Sequence, residues 1–308
     1  MSSIPEDKSN NKYIVPERFD LMAKYLYIKS EDKKYDTNFF KELYHKHIIT
    51  FNNCYELPDP TMSNNKSKEK IEDFFNSFDD LIDNIKNNGY NEKYPIPIGN
   101  NDVIINGAHR LMVSYYYNVE PTINKYNSLG NVEYDFNFFK DRKDYPNLEE
   151  IYTDTMALEY IKHNKNIRCM VLYPLAYDKI NKFQNILNTI KEYGFIYYAK
   201  FIDLNKRGIS NLIKEAYRGE EWIGGMFPNG FSNGGKTELC LSNKNKPTTL
   251  LLVSMNDVSK CIEMKERCRD IFGNGKHSLH VSDYTEDTFR ISSSLLNENS
   301  IDFLNNGT

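Results

Sequence analysis

The stretch 94–117, YPIPIGNNDVIINGAHRLMVSYYY, decides the fold of the N-terminal half of the chain. An apolar run (95–98), a Gly-Asn-Asn-Asp turn and a β-branched run (103–105) lead to Asn106-Gly107-Ala108-His109-Arg110 and an apolar helical segment. This order predicts a hairpin whose glycine turn feeds a helix. Because N–H groups at a helix start are unpaired and that end is positive, we expect Asn106–Arg110 to cradle an anion or phosphate.

Each residue type in this turn suits phosphate. Gly107 has no Cβ and lets the backbone approach a ligand closely. Arg110 supplies a fixed charge that can bind two oxygens at once, and His109 can donate a hydrogen bond or act as an acid or base. The alternative interpretation is a plain strand-to-helix turn, with the histidine facing the core and the arginine on the surface.

The region from about 70 to 117 resembles the ParB/sulfiredoxin-like superfamily. The similarity lies in a helix ending in LIDNIKNNGY, followed by PIPIGNNDVIINGAHRL with its signature turn. The family includes CTP-binding DNA-partitioning proteins, ATP-dependent sulfinic acid reductases and small-molecule kinases such as free-serine kinases. The resemblance implies that Gly107, His109 and Arg110 hold nucleotide phosphates. Asn106 stands where the family commonly has aspartate, so a carboxylate role such as metal binding is not implied there.

The composition limits the class of protein. The chain has 308 residues and a net charge of −4, so it lacks the basic excess of a nonspecific DNA binder. Its five cysteines form no CxxC pair and none lies in the signature turn, which favours free thiols and argues against a sulfiredoxin-like reaction. No apolar run approaches the roughly 18 residues of a membrane span, and the polar N-terminus is not a signal peptide. We expect a cytoplasmic protein without a membrane partner.

Periodicity predicts an α+β or α/β fold. Apolar residues at helical spacing predict an amphipathic helix over 67–89 that Gly89 ends, and a second helix from about Ala108 to Tyr117. We expect a disordered tail (1–16), a helical lead-in with a ParB-like module (17–120) and a mixed α/β part (121–308). In that second part, predicted strands such as 248–254 and 238–241 alternate with helices. The chain ends at FLNNGT soon after a predicted helix, so truncation of this second part stays an open alternative.

A second group of chemically active residue types lies in 273–299. Two glycines, Lys276 and the histidines could form a phosphate site, whereas two histidines and one carboxylate could instead bind a metal, although their spacing matches no specific metal motif. The alternative is an ordinary strand, turn and helix with a solvated rim. The candidate residues of this group are His277, His280, Asp283, Glu286 and Arg290.

A glycine-rich loop (218–236) holds the only tryptophan, Trp222. Residues 230–237 match the Walker A letters, but a strand predicted directly after them does not suit a phosphate loop. We favour a mobile loop that brings Lys236 or Glu220 to an active site, with Glu220 as a general base. The alternative is a surface loop with its tryptophan in the core.

The resemblance, which is nearest to the small-molecule kinase branch of the family, implies an enzyme: a nucleotide-dependent phosphotransferase, expected to act as a kinase on a small hydroxyl-bearing molecule. From the resemblance, ATP or another nucleotide and Mg²⁺ are the expected cofactors, and the nucleotide and a small acceptor are the expected partners. The predicted catalytic residues are His277, His280, Asp283, Glu286 and Glu220, and the predicted cofactor-binding residues are Gly107, His109, Arg110, Lys236 and Arg290. Two alternatives stay open: a ParB-like nucleotide-binding or DNA-associated module, and a non-catalytic domain of a larger surface-polysaccharide biosynthesis enzyme.

Overall fold

The computed structural model describes residues 12–31, 37–58, 66–99, 102–127, 133–223, 235–242 and 244–307. The chain forms two compact units that meet between His163 and Asn164, whereas the sequence suggested a boundary near residue 120. Of the predicted disordered tail, residues 1–11 lie outside the described part, and Tyr13 and Ile14 are buried. Within the described ranges, every helix is too short or too polar to cross a bilayer.

The N-terminal unit is mostly helical. Its elements are α1 (Leu21–Ser30), α2 (Thr37–Asn52), α3 (Ile71–Asn88), β1 (Ile96–Ile98), α4 (Ala108–Tyr117), β2 (Ile123–Lys125), α5 (Phe136–Lys140) and α6 (Glu150–His163). β1 pairs in parallel with β2. The predicted hairpin is present in a short form, because Ile98 bridges Ile104 and the Ile105 N–H donates to the Pro97 carbonyl oxygen at 2.9 Å.

Two local signals in this unit act as the sequence predicts. α3 buries Phe74, Phe78, Ile82 and Ile85, which lie three or four residues apart and so share one face. The helix ends at Gly89, whose φ of 78° and ψ of −175° form a backbone conformation that is open almost only to glycine. That face meets an aromatic core, in which the Tyr27 ring stacks on Phe78 with 4.9 Å between centroids.

The C-terminal unit is built on a four-stranded antiparallel sheet. Its elements are β3 (Ile167–Leu172), α7 (Phe183–Tyr193), β4 (Gly194–Ile202), α8 (Lys206–Ala216), α9 (Lys236–Cys240), β5 (Thr248–Met255), α10 (Cys261–Phe272), β6 (Leu279–Val281), α11 (Thr285–Leu295) and α12 (Glu298–Asn306). The strand order is β4-β5-β3-β6, and every residue of the interior strand β5 is buried. All three strand pairs are antiparallel. The alternation of strands and helices in the sequence was compatible with either an α/β or an α+β fold. The antiparallel strand pairs show that this unit is α+β.

One strand prediction is wrong. Residues 238–241 were expected to form a strand, but 236–240 form the short helix α9. Gly235 precedes it with a φ of 76°, and the buried residues Lys236, Thr237 and Cys240 follow helical spacing. Residues 224–234, which include the first five residues of the Walker A-like stretch 230–237, lie outside the described residues. The short helix α12 was not predicted.

Candidate functional site

The signature turn is a tight left-handed entry into α4. Gly107 has a φ of 85°, and its N–H donates to the Asn106 Oδ1 atom at 2.6 Å. Among the described residues, no side chain caps the start of α4. A Cβ at Gly107 would lie 3.0 Å from the Arg110 Nη2 atom. Glycine is therefore required at this position for two reasons: the backbone angle is strained for other residues, and the Arg110 guanidinium occupies the space that a side chain would take.

Arg110 connects the helix start to the chain before β1. Its Nη1 atom donates to the Tyr94 carbonyl oxygen at 2.6 Å. The Tyr90 hydroxyl donates to the same carbonyl oxygen at 2.6 Å. Burial raises the pKa of that phenol, and Arg110 opposes the shift. These hydrogen bonds use Arg110 to hold the turn against the chain before β1.

His109 is a neutral, partly buried group. Its Nε2 atom lies 2.8 Å from the Tyr44 hydroxyl, and its ring meets the Phe78 ring edge-on at 4.6 Å. Burial, followed by the charges of Lys24 and Lys68, holds the pKa of His109 well below its usual range. The ring is anchored on α2 and α3 and can offer a hydrogen bond, but it brings no positive charge at neutral pH.

A buried ion network lies behind the turn. The Asp20 carboxylate accepts hydrogen bonds from Arg18 Nε at 2.7 Å, Arg18 Nη2 at 2.9 Å and Lys24 Nζ at 2.7 Å. None of these three side chains is more than 5% exposed. Arg18 also donates to the Ile104 carbonyl oxygen, just before the signature turn. The two cations hold the pKa of Asp20 far below its usual range, although burial alone would raise it.

An exposed ion pair forms the rim of the same region. The Lys68 Nζ atom lies 2.6 Å from the Glu56 Oε2 atom, and the two residues also exchange backbone hydrogen bonds at 2.8 and 2.9 Å. Burial lowers the pKa of Lys24, and the Asp20 and Glu56 carboxylates oppose that shift. Burial raises the pKa of Tyr44, and Glu56 adds to that shift, so the charge of Glu56 acts on the buried network. We refer to Arg18, Asp20, Lys24, Glu56, Lys68 and His109 together as the turn cluster.

The turn cluster combines three cations with two carboxylates and a neutral histidine. Its net positive charge beside an uncapped helix start is an arrangement that suits an anion. Sequence reasoning found only His109 among these residues. A signal was available, because Lys24 interrupts an otherwise apolar helix in DLMAKYLYI, where a charge needs a reason.

The C-terminal unit brings part of the other predicted set together. His280 on β6 is buried, and its ring lies 4.6 Å from that of Tyr217. Lys236 is also buried; its Nζ atom lies 4.8 Å from the centre of the Tyr217 ring and donates to the Lys276 carbonyl oxygen at 2.7 Å. Burial lowers the pKa of His280 to about 3, with smaller contributions from Lys265, Lys236 and Arg269, so this histidine is neutral.

Other predicted residues of this unit lie at its surface. Asp283 is exposed and pairs with Lys265 at 2.9 Å, and Glu220 and Glu286 are exposed. Arg290 donates to Glu215, through the carbonyl and carboxylate oxygens, and to the Asp287 carboxylate at 2.6 Å.

His277 lies in a short 3-10 turn and is partly buried. Across the described ranges, no group of three or more His, Cys, Asp or Glu residues is placed to hold a metal ion. The described residues therefore give the metal alternative for His277, His280 and Asp283 no support.

Comparisons of the chain with known protein families, with curated proteins and with solved structures give no match. The resemblance to the ParB/sulfiredoxin-like superfamily therefore stays a prediction from the residues of the signature turn.

Proposed function

We propose that the N-terminal unit binds the phosphates of a nucleotide and that the protein is a nucleotide-dependent phosphotransferase acting on a small hydroxyl-bearing molecule. The observation that carries this proposal is the turn cluster, whose surplus positive charge lies beside the uncapped start of α4. A buried charge without a full set of counterions is costly, and an anionic ligand would offset that cost.

The residues of the turn cluster would have different roles in phosphoryl transfer, according to their charge and exposure. The Lys24 and Lys68 ammonium groups are the cations that would stabilise phosphoryl oxygens, and His109 would contribute a neutral hydrogen bond. Asp20 is an unsuitable base, because its carboxylate already accepts three charge-assisted hydrogen bonds. Glu56 is 46% exposed in its side chain and is the carboxylate that a hydroxyl acceptor could reach.

The described residues do not build a site for Mg²⁺ on their own. The turn cluster offers one accessible carboxylate, Glu56, and that group is bound to Lys68. Magnesium in such enzymes usually binds one or two carboxylates together with substrate phosphates. The proposal therefore assigns no step to the metal.

A thermal-shift experiment tests nucleotide binding. ATP, ADP and CTP are titrated, with and without Mg²⁺, into wild-type protein, Lys24→Met, Lys68→Met and the control Lys93→Met, whose lysine is exposed and outside the cluster. We expect a nucleotide to raise the melting temperature of wild type and the control, and much less that of the two cluster variants. Absence of a shift with every nucleotide would overturn the proposal and leave a non-catalytic domain.

Transfer itself is tested by nucleotide consumption in the presence of pooled hydroxyl compounds. We expect Glu56→Gln to keep the thermal shift and to lose most of the acceptor-dependent turnover, because it removes the base and not the cations. Nucleotide binding without turnover, together with a DNA mobility shift that survives moderate salt, would instead favour the ParB-like DNA-associated module.

A further inference from the structure

The C-terminal unit contains a second polar cluster, far along the chain from the signature turn. The Lys236 Nζ atom lies 4.8 Å from the Tyr217 ring centre and 5.9 Å from that of Tyr173. The His280 ring packs edge-on against Tyr217. Burial raises the pKa of both tyrosines and lowers that of His280, and the charge of Arg269 on α10 acts on all three, opposing the first two shifts and adding to the third. We refer to Tyr173, Tyr217, Lys236, Arg269 and His280 as the tyrosine cluster.

Three buried polar atoms of this cluster have no hydrogen-bond partner among the described residues: the Tyr173 hydroxyl, the Tyr217 hydroxyl and the Arg269 Nε atom. Tyr173 is fully buried and Arg269 is 7% exposed. Buried donors are nearly always satisfied in native proteins, and an unsatisfied one costs free energy. Three such atoms in one cluster indicate that a ligand completes it.

The charge of the cluster indicates which ligand. The Lys236 Nζ atom donates to an uncharged group, the Lys276 carbonyl oxygen. The Arg269 Nη1 atom donates to the Glu266 carboxylate at 2.7 Å. The phenols remain protonated, because burial raises the pKa of Tyr173 and of Tyr217. Every unsatisfied atom can therefore donate a hydrogen bond. The charges of Lys236 and Arg269 lie in the cluster, and the exposed carboxylates of Asp283 and Glu220 also act on Tyr217.

We propose that the tyrosine cluster binds an oxyanion, a phosphate or carboxylate group of a small molecule. The two phenolic hydroxyls, Arg269 Nε and Lys236 Nζ would donate to its oxygens. This second site lies in the C-terminal unit and does not rest on the nucleotide site proposed for the turn cluster. The neighbouring Cys240 thiol is not a nucleophile for such a ligand, because burial raises its pKa to about 11 and keeps it protonated.

The test measures melting temperature in sodium phosphate or sodium acetate against sodium chloride of equal ionic strength. The proteins are wild type, Tyr173→Phe, Tyr217→Phe, Lys236→Met and the control Lys244→Met, whose lysine is exposed. We expect phosphate or acetate to stabilise wild type and the control, with affinity about tenfold or more lower in the cluster variants, since each loses a hydrogen bond to an anion. The anion that binds more tightly identifies the class of ligand.

The stability of the Tyr173→Phe variant without a binding anion gives a second, independent test. With chloride alone, Tyr173→Phe should be at least as stable as wild type, because its hydroxyl has no partner to lose. A lower melting temperature in chloride would show that the hydroxyl is already satisfied and would overturn the inference. So would the absence of any anion effect on wild type.

Phosphate could also bind the turn cluster, so Lys24→Met is included as a reference. An anion shift kept in Lys24→Met and lost in Lys236→Met supports the tyrosine cluster. A shift lost in Lys24→Met and kept in Lys236→Met overturns this inference and leaves the nucleotide proposal standing.

Discussion

The Lys24 Nζ atom lies 2.7 Å from the Asp20 Oδ2 atom, and both side chains are almost completely buried. Asp20 immediately precedes α1, and Lys24 follows one turn later, so the helix itself sets their distance. Arg18 binds the same carboxylate through two nitrogens. One buried carboxylate therefore faces two buried cations, so this group of three side chains carries a net positive charge.

This asymmetry predicts opposite results for two substitutions. Asp20→Asn leaves two buried cations without a counterion and should cost about 3–5 kcal/mol of unfolding free energy. Lys24→Met keeps the apolar stem and leaves Asp20 paired with Arg18, so we expect a change below about 1 kcal/mol. Urea denaturation of both variants measures this, and equal destabilisation by the two would contradict the surplus of positive charge.

The signature glycine should tolerate no side chain. Gly107→Ala places a Cβ in a left-handed conformation, which costs about 1–2 kcal/mol, and pushes it against the Arg110 guanidinium. Gly273→Ala is the matched control, since Gly273 has the same left-handed helical conformation, but a Cβ there would make only ordinary van der Waals contacts, the nearest 3.6 Å from the Lys179 Nζ atom. We expect Gly107→Ala to be the more destabilising in urea denaturation. If the two variants lose equal stability, Arg110 does not pack over the turn as described.

Acid should weaken the C-terminal unit through His280. Its pKa is lowered to about 3 by burial, with further lowering by Lys265, Lys236 and Arg269 and an opposing effect of Asp283. In the unfolded chain His280 therefore binds a proton as the pH falls below about 6.5, whereas in the folded chain it stays neutral until the pH approaches 3. The contribution of this neutral ring is complete above pH 6.5 and falls by about 1.4 kcal/mol per pH unit as the pH decreases towards 3.

Urea midpoints at pH 7.5, 6.5 and 5.5 measure this dependence. His280→Phe should lose less stability between pH 6.5 and 5.5 than wild type, because it has no proton to bind. His45→Gln serves as the control, since His45 is partly exposed. An unchanged slope in His280→Phe would show that the ring is not held neutral by burial.

Arg290 should stabilise the fold without binding a ligand. It joins α11 to Glu215 on α8 and pairs with Asp287. Arg290→Gln should lower the unfolding free energy by about 1 kcal/mol, a modest value because the pairs are partly exposed. Arg218→Gln, which removes a more exposed pair with the same Glu215, should cost less. Loss of nucleotide or anion binding in Arg290→Gln, with stability unchanged, would instead give this arginine a binding role.

Local features of the chain could be predicted from the sequence because their physics is local. The apolar spacing of α3 and its terminal glycine predicted both the helix and its end. The signature turn predicted a helix from Ala108 to Tyr117, which is the observed α4. A helix or a tight turn depends on hydrogen bonds and backbone angles of residues within a few positions of each other. The identity of those neighbouring residues can be read from the sequence.

Only the tertiary structure decided strand direction and the membership of the two clusters. Long connections can return a strand in either direction, so alternating strands and helices did not distinguish parallel from antiparallel pairing. Arg18 meets the Ile104 carbonyl 86 residues away, and Lys236 lies beside Tyr173. The sequence by itself determined helices such as α3 and α4, the glycine turn and the strand β5, but not the short helices α9 and α12. Which charges share a buried site was decided by packing between distant segments, because burial and electrostatic pairing depend on distances that no local pattern contains.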